Sequence, residues 1–350
     1  MQTPLYNALA ELFPALRAAE YRGAETAAQF EGPASEYLAL THGCGIYDLG
    51  WRSKLAVRGE DRSRWLNGML TNNIKDLAVD CGVYCFLLNA QGRIQADMYV
   101  YNRDDHFLAD TDAAQFEKMC GTFEKFIIMD DVELAAVADV TAIGVRGPKA
   151  REVFQRANIS FAELMPLQLQ NTISAGIGMS IVRARQADAY ELWISTGNVA
   201  AIWNELAQAG ATRVGSEAVD LRRIADGEPR YGVDIRDRDL PQETGQAGAL
   251  NFNKGCYVGQ EIVERIHSRG QVHRQFSGFL FAGEGVAPGA KISANGKDIG
   301  EITSFATLPS ANGKPARKVA LGYIRREAAE VGFKVEAAGA AATVAKLPFE

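Results

Sequence analysis

KLAVRGEDRSRWL (residues 54–66) and AIGVRGPKAREVF (residues 142–154) are two versions of one unit, and their recurrence decides the fold. Each opens as an apolar strand, passes through Val-Arg-Gly, and turns through polar residues into a helix. A supersecondary unit that returns along the chain marks an internal repeat. Outward from the first copy, YCFLLN (84–89) reads as a strand, Ala90-Gln91-Gly92 as a turn and RIQADMYVY (93–101) as the returning strand. FLAD (107–110) is a third strand. Thr111 then stands as the N-cap of a helix with an apolar stripe at Phe116, Met119, Cys120, Phe123 and Ile127, which is helical spacing. Outward from the second copy, GMSIVRAR (178–185) and YELWIS (190–195) pair as strands, and residues 197–208 form a helix. Two similar α+β halves are the economical reading.

From Arg274 the texture changes to short alternating strands between Gly-rich turns. Asn295-Gly296 and Asn312-Gly313 are both hairpin signals, and the pattern suggests a small β-barrel domain. Between halves and barrel, residues 234–270 are polar and rich in Gly, Gln and Arg, with no clear periodicity. Long connections of that kind are usually functional or disordered. At the other end, MQTPLYNALAELFPALRAAE (1–20) reads as an amphipathic helix without the marks of a signal peptide. No stretch approaches the roughly 20 apolar residues of a membrane span. The expected compartment is the cytoplasm, with no membrane partner.

The chain has 350 residues, 47% apolar and 23% charged, which fits a globular protein of two or three domains. A net charge of -6 argues against a general nucleic-acid binder. Five cysteines are too few and too scattered for a disulfide framework. Cys81 and Cys85 lack a second Cys/His pair, so buried thiols are expected there and no metal site. Gly176-Ile-Gly178 lacks the rest of a dinucleotide fingerprint, and neither a phosphate-binding loop nor a Gly-x-Ser-x-Gly elbow is present.

Three places carry candidate chemistry. Along residues 93–101, Ile94, Ala96, Met98 and Val100 point one way, while Arg93, Gln95, Asp97, Tyr99 and Tyr101 point the other. Aspartate is a poor strand former, so Asp97 sits either on a solvated face or, with its tyrosines, on a ligand-facing wall. Glu191 in YELWIS poses the same choice; buried, it would need a cationic or multi-donor partner. Asp97 and Glu191 are expected on equivalent strands of the repeat. The third place is LNFNKGCYVGQEIVERIHSRGQVHR (250–274), where Lys254-Gly255-Cys256 sets a thiol beside an ammonium. Nearby positive charge favours thiolate, the reactive form. The loop is either simply solvated or chemically active, and His267 and His273 make a cysteine–histidine nucleophile conceivable.

KGCYVGQE (254–261) resembles the signature of the YgfZ family of folate-binding proteins, which support iron–sulfur cluster assembly or repair. The rest is similar to the glycine-cleavage T-protein (aminomethyltransferase) superfamily. GIYDLGWRSKLAVRGEDRSRWLNGMLTNNI (45–74), LNAQGRIQADMYVY (88–101) and VRGPKA (145–150) carry that likeness. The resemblance implies an α+β fold of three domains in a ring around tetrahydrofolate. One folate-binding domain would be discontinuous, 1–50 with 140–250, and a second, 51–139, inserted into it. A Cys-containing loop, 251–273, and a β-barrel, 274–350, would follow. It implies that Asp97 lies near the folate nitrogens, that Glu191 grips the pterin, and that Tyr99 and Arg223 contribute to binding. Two departures from the T-protein stand out: Ala96-Asp97 replaces a pair of acids, and its loop has no counterpart of Cys256. The leading expectation is therefore a folate-dependent accessory factor with iron–sulfur client proteins, acting through Cys256 and Lys254. The alternatives are a tetrahydrofolate-dependent aminomethyltransferase and a thiol enzyme unconnected with folate.

Overall fold

The computed structural model describes all residues except 14, 284–285, 311–314 and 350. The Asn312-Gly313 hairpin signal lies outside the described residues. The chain forms two compact units. The first comprises Met1–Met69, Asn73–Cys85 and Met98–Val219, and the second Leu70–Asn72, Phe86–Asp97 and Asp220–Glu350.

Helix α1 (Pro4–Leu12) starts at Thr3, whose hydroxyl accepts from the Tyr6 amide. The expected 20-residue amphipathic helix stops early, because Phe13 precedes a proline and is pushed out of the helical region, to φ -129° and ψ 75°. The remainder becomes a hairpin of β1 (Ala18–Tyr21) and β2 (Ala24–Ala27), followed by α2 (Pro33–His42) and β3 (Gly45–Asp48). The first copy of the repeat is β4 (Arg52–Arg58) with α3 (Arg62–Met69). Then come β5 (Gly82–Leu88), β6 (Ile94–Asn102), β7 (Phe107–Asp112), α4 (Ala113–Lys125) and β8 (Glu133–Val137). The second copy is β9 (Val140–Arg146) with α5 (Ala150–Arg156). After it come β10 (Leu169–Ser174), β11 (Ile177–Arg183), β12 (Ala189–Ser195), α6 (Val199–Gln208), β13 (Thr212–Val214) and α7 (Ser216–Asp226).

The two copies head two sheets of matching order, β5-β6-β7-β4-β8 and β10-β11-β12-β9-β3-β13. The turn after each Val-Arg is made by a glycine at positive φ, +98° at Gly59 and +127° at Gly147. A Cβ on Gly59 would stand 2.0 Å from the Asp131 carbonyl oxygen, and one on Gly147 2.4 Å from that of Gly43. Both turns thus require glycine twice over, for conformation and for space. The matching order also corrects one expectation. β12, which carries Glu191, is the counterpart of β7, and β6, which carries Asp97, is the counterpart of β11. The two acids are not on equivalent strands.

Thr111 is a second correction. It remains in β7, and Asp112 takes the N-cap position of α4 without capping an amide. Its carboxylate is drawn instead to Arg22 and Arg52. The helix ends at Lys125, so Ile127 leaves the stripe and the fully buried face is Gln115, Met119 and Phe123.

In the second unit, a closed antiparallel barrel runs β14-β17-β16-β15-β18-β19. Its strands are β14 (Arg274–Phe281), β15 (Lys291–Ala294), β16 (Lys297–Leu308), β17 (Arg317–Arg325), β18 (Lys334–Ala337) and β19 (Ala340–Ala345). Asn295 and Gly296, both at positive φ, make the two-residue β15–β16 turn as expected. Phe279, Ile292, Ile302, Ile324 and Val344 fill the barrel. The polar stretch before it is ordered by two 3-10 turns, Pro241–Glu243 and Ala247–Ala249, and by α8 (Gln260–Arg269). Buried acids fasten it: Asp234 receives Thr303 and Ser304 hydroxyls from β16, while Asp239 and Glu243 receive Arg274. Among the described residues, no helix is long and apolar enough to cross a membrane.

Candidate functional site

Within the first unit, alternation along β4 sends Arg52 and Lys54 to one face of their sheet. Their cross-strand partners on β7 are Asp112 and Asp110. Opposite charges thus meet in register. Arg52 lies 2.9 Å from Asp112 and 3.3 Å from Asp110, Lys54 3.4 Å from Asp110, and Arg22 2.6 Å from Asp112. Burial of Lys54 and Asp110 is nearly complete, at 2% and 0% exposed. Buried charge persists only when paired, and this cluster pairs it densely. Burial alone would pull Arg52 down and push Asp112 up. The mutual attraction outweighs it, leaving Arg52 well above the usual guanidinium range and Asp112 below the carboxylate range.

Glu191 enters this cluster from β12. Its Oε2 accepts from the Trp193 indole N–H at 2.8 Å. Among the described residues that indole is its hydrogen-bond donor, and the second carboxylate oxygen has none. Burial first, then Asp110, raises the Glu191 pKa, while Arg52, Lys54 and Trp193 pull the other way. Aromatic rings surround the carboxylate's neighbours. Lys54 Nζ lies 4.8 Å from the centre of the Trp193 ring, and Tyr101 meets that ring edge-on at 4.9 Å. Arg52 lies 5.3 Å from the Tyr99 ring, Tyr99 lies 5.1 Å from Tyr84, and Arg185 covers Tyr84 at 4.9 Å. A half-buried carboxylate with one oxygen available, beside three tyrosines, can receive the N–H donors of a flat heterocycle. The structure brings Glu191 and Tyr99 into this one neighbourhood. Arg52, Lys54, Asp110, Tyr84 and Trp193 escaped the sequence reading, although RSK in β4 and DTD in β7 carry alternating charges of opposite sign.

The other candidates lie in the second unit. Asp97 is half-buried near Tyr231, whose hydroxyl lies between two acceptors, the Gln95 carbonyl at 2.5 Å and Asp237. Burial, then Asp237, then Asp97 raise the Tyr231 pKa. Arg223 is 4% exposed and spans several protein acceptors: Asp234 at 2.6 Å, Asp220 at 2.8 Å, the Glu228 carbonyl at 2.9 Å and Ser304 at 3.1 Å. It ties α7 to barrel strand β16. Lys254 is similarly engaged, donating to the Leu70 and Asn72 carbonyls at 2.6 and 2.9 Å and lying 4.9 Å from the Tyr257 ring. Cys256 is the exposed cysteine of the chain. No hydrogen bond joins it to His267 or His273 among the described residues, and His267 stacks on Phe252 at 3.7 Å. No group of three or more His, Cys, Asp or Glu poised for a metal ion occurs among the described residues.

The profile of the GCVT N-terminal domain family matches residues 9–254. An aminomethyltransferase of Caldanaerobacter subterraneus is 25% identical over 348 residues, spanning 96% of this chain and 91% of that protein. One from Exiguobacterium sibiricum is 28% identical over 345 residues, spanning 97% and 93%. The crystal structure of glycine cleavage system aminomethyltransferase T from Bartonella henselae superposes with a TM-score of 0.90 at 22% identity. It covers 100% of this chain and 98% of that one. The α+β architecture with its terminal barrel is thereby shared.

Proposed function

Because the chain belongs to the GCVT N-terminal domain family, we propose that it binds tetrahydrofolate and transfers a one-carbon unit by chemistry of the aminomethyltransferase kind. The carrying observation is Glu191, held through one oxygen by Trp193 and open at the other. Two parallel N–H donors on a pterin edge match a carboxylate, and Tyr84 and Tyr99 offer flat apolar surface to the ring. Arg52 and Lys54 keep negative charge at Glu191 tolerable despite burial. When bound, the folate supplies the nitrogens that carry the one-carbon unit. We assign Asp97 to proton handling at those nitrogens, as its superfamily resemblance implies. The relatives favour this reading over the accessory role expected from KGCYVGQE.

The test is formation of methylene-tetrahydrofolate from an aminomethyl-bearing lipoyl carrier protein. Turnover that Asp97→Asn abolishes, with tetrahydrofolate affinity retained, supports the proposal; absent binding overturns it. A second reading is favoured by one observation, the exposure of Cys256 ahead of α8. In it, the protein binds folate without transferring aminomethyl groups and serves iron–sulfur client proteins through that thiol. Binding without turnover, together with loss of iron–sulfur enzyme activity in Cys256→Ala cells, selects this reading.

A further inference from the structure

The first unit holds a cleft of about 720 Å³ to which neither the composition nor the family likeness assigns a role. Trp193, Lys54, Leu108 and Val137 line it. Glu191, Arg52 and Tyr99 do not line it. Trp193 and Lys54 therefore form the partition between this cleft and the carboxylate cluster. Arg58, Arg103 and His106 also line it, together with one acid, Asp139. Arg58 and His106 share Asp105, which is 68% exposed, at 2.8 and 2.6 Å, and Arg103 reaches Asn171 at 3.0 Å and Asp80 at 3.7 Å. Exposed ion pairs of this kind exchange readily in water.

From this geometry we infer that the cleft is a second small-molecule site, for a ligand with a flat apolar body and one anionic group. The body packs on Trp193, Leu108 and Val137, and the anion displaces Asp105 from Arg58. The volume falls within the range of roughly 300–1,000 Å³ typical of ligand pockets, which are mostly apolar with a few placed polar groups. Two further lining residues, Ile173 and Gly178, serve the test. They are cross-strand partners on β10 and β11. Ile173 is 75% exposed, and a Cβ on Gly178 would meet no atom within 4 Å. A larger side chain at Gly178 can therefore enter the cleft without displacing the fold.

The probe is anilinonaphthalene sulfonate, titrated by fluorescence against the full chain. Saturable binding is expected in the native protein, weakened about tenfold or more by Gly178→Phe, which fills the space. Ile173→Glu, which adds a negative charge at an exposed position lining the cleft, is expected to weaken it severalfold. Each variant is first checked for native circular dichroism, and if Gly178→Phe does not fold, Ile173→Glu decides. Wild-type affinity in either folded variant, or no saturable binding by the native chain, overturns the inference.

Discussion

Replacing Glu191 should separate ligand affinity from fold stability, moving them in opposite directions. In Glu191→Gln the shape and the acceptor for the Trp193 N–H are kept, and the negative charge is lost. A hydrogen bond to a charged group contributes about 1.5–3 kcal/mol, and about 1.4 kcal/mol is tenfold in affinity. The tetrahydrofolate dissociation constant should therefore rise by about one to two orders of magnitude, read by calorimetry. Stability should move the other way. Burial and Asp110 raise the Glu191 pKa above its unfolded value. Above both values the ionised carboxylate is a net cost to folding, and the cost disappears as pH falls through the folded and then the unfolded value. Glu191→Gln should accordingly melt at or above the wild-type temperature at neutral pH, with the difference vanishing in acid. Wild-type affinity should also decline on acidification, beginning at a higher pH than an ordinary glutamate would give. An unchanged dissociation constant in a variant of native melting behaviour refutes the pterin role. A variant that loses stability and affinity together refutes the account of its electrostatics.

Arg223→Ala should destabilise the protein by about 3–5 kcal/mol in denaturant titration, because it leaves the 0%-exposed Asp234 without its cation; a folate-affinity loss at native stability would contradict that fastening role. Gly147→Ala should lower the melting temperature clearly more than Gly178→Ala, since only the former meets backbone at 2.4 Å and positive φ. Iodoacetamide should label Cys256 fastest by peptide mapping: Cys44 is buried with its thiol pushed up to about 12, Cys85 is buried, and Cys81 and Cys120 are partly covered. Faster labelling of any other cysteine would remove the case for Cys256 as an accessible thiol.

The repeat was legible because its signals are local. A Val-Arg-Gly turn and a two-residue period write strand, turn and helix start into a dozen residues, and Gly59 and Gly147 meet that demand twice. Asn295-Gly296 was legible for the same reason. The charge cluster was not, since nothing in residues 52–54 states that their partners stand at 110–112. That pairing is a matter of β4–β7 register, which long-range packing sets. Glu191 could be suspected from its apolar strand, but Trp193 as its donor required the side-chain directions. The order of residues 234–270 was not legible, for the opposite reason. Their order rests on Asp234, Asp239 and Glu243 gripping cations and hydroxyls far along the chain, and such anchors leave no apolar periodicity to read.

The division of the chain carries a practical consequence. The backbone passes between the units after Met69, Asn72, Cys85, Asp97 and Val219. Strands β5 and β6 each begin in one unit and finish in the other. No single cut, at either terminus or within, releases a complete unit, so a fragment expressed alone would lack strand segments supplied from elsewhere in the gene.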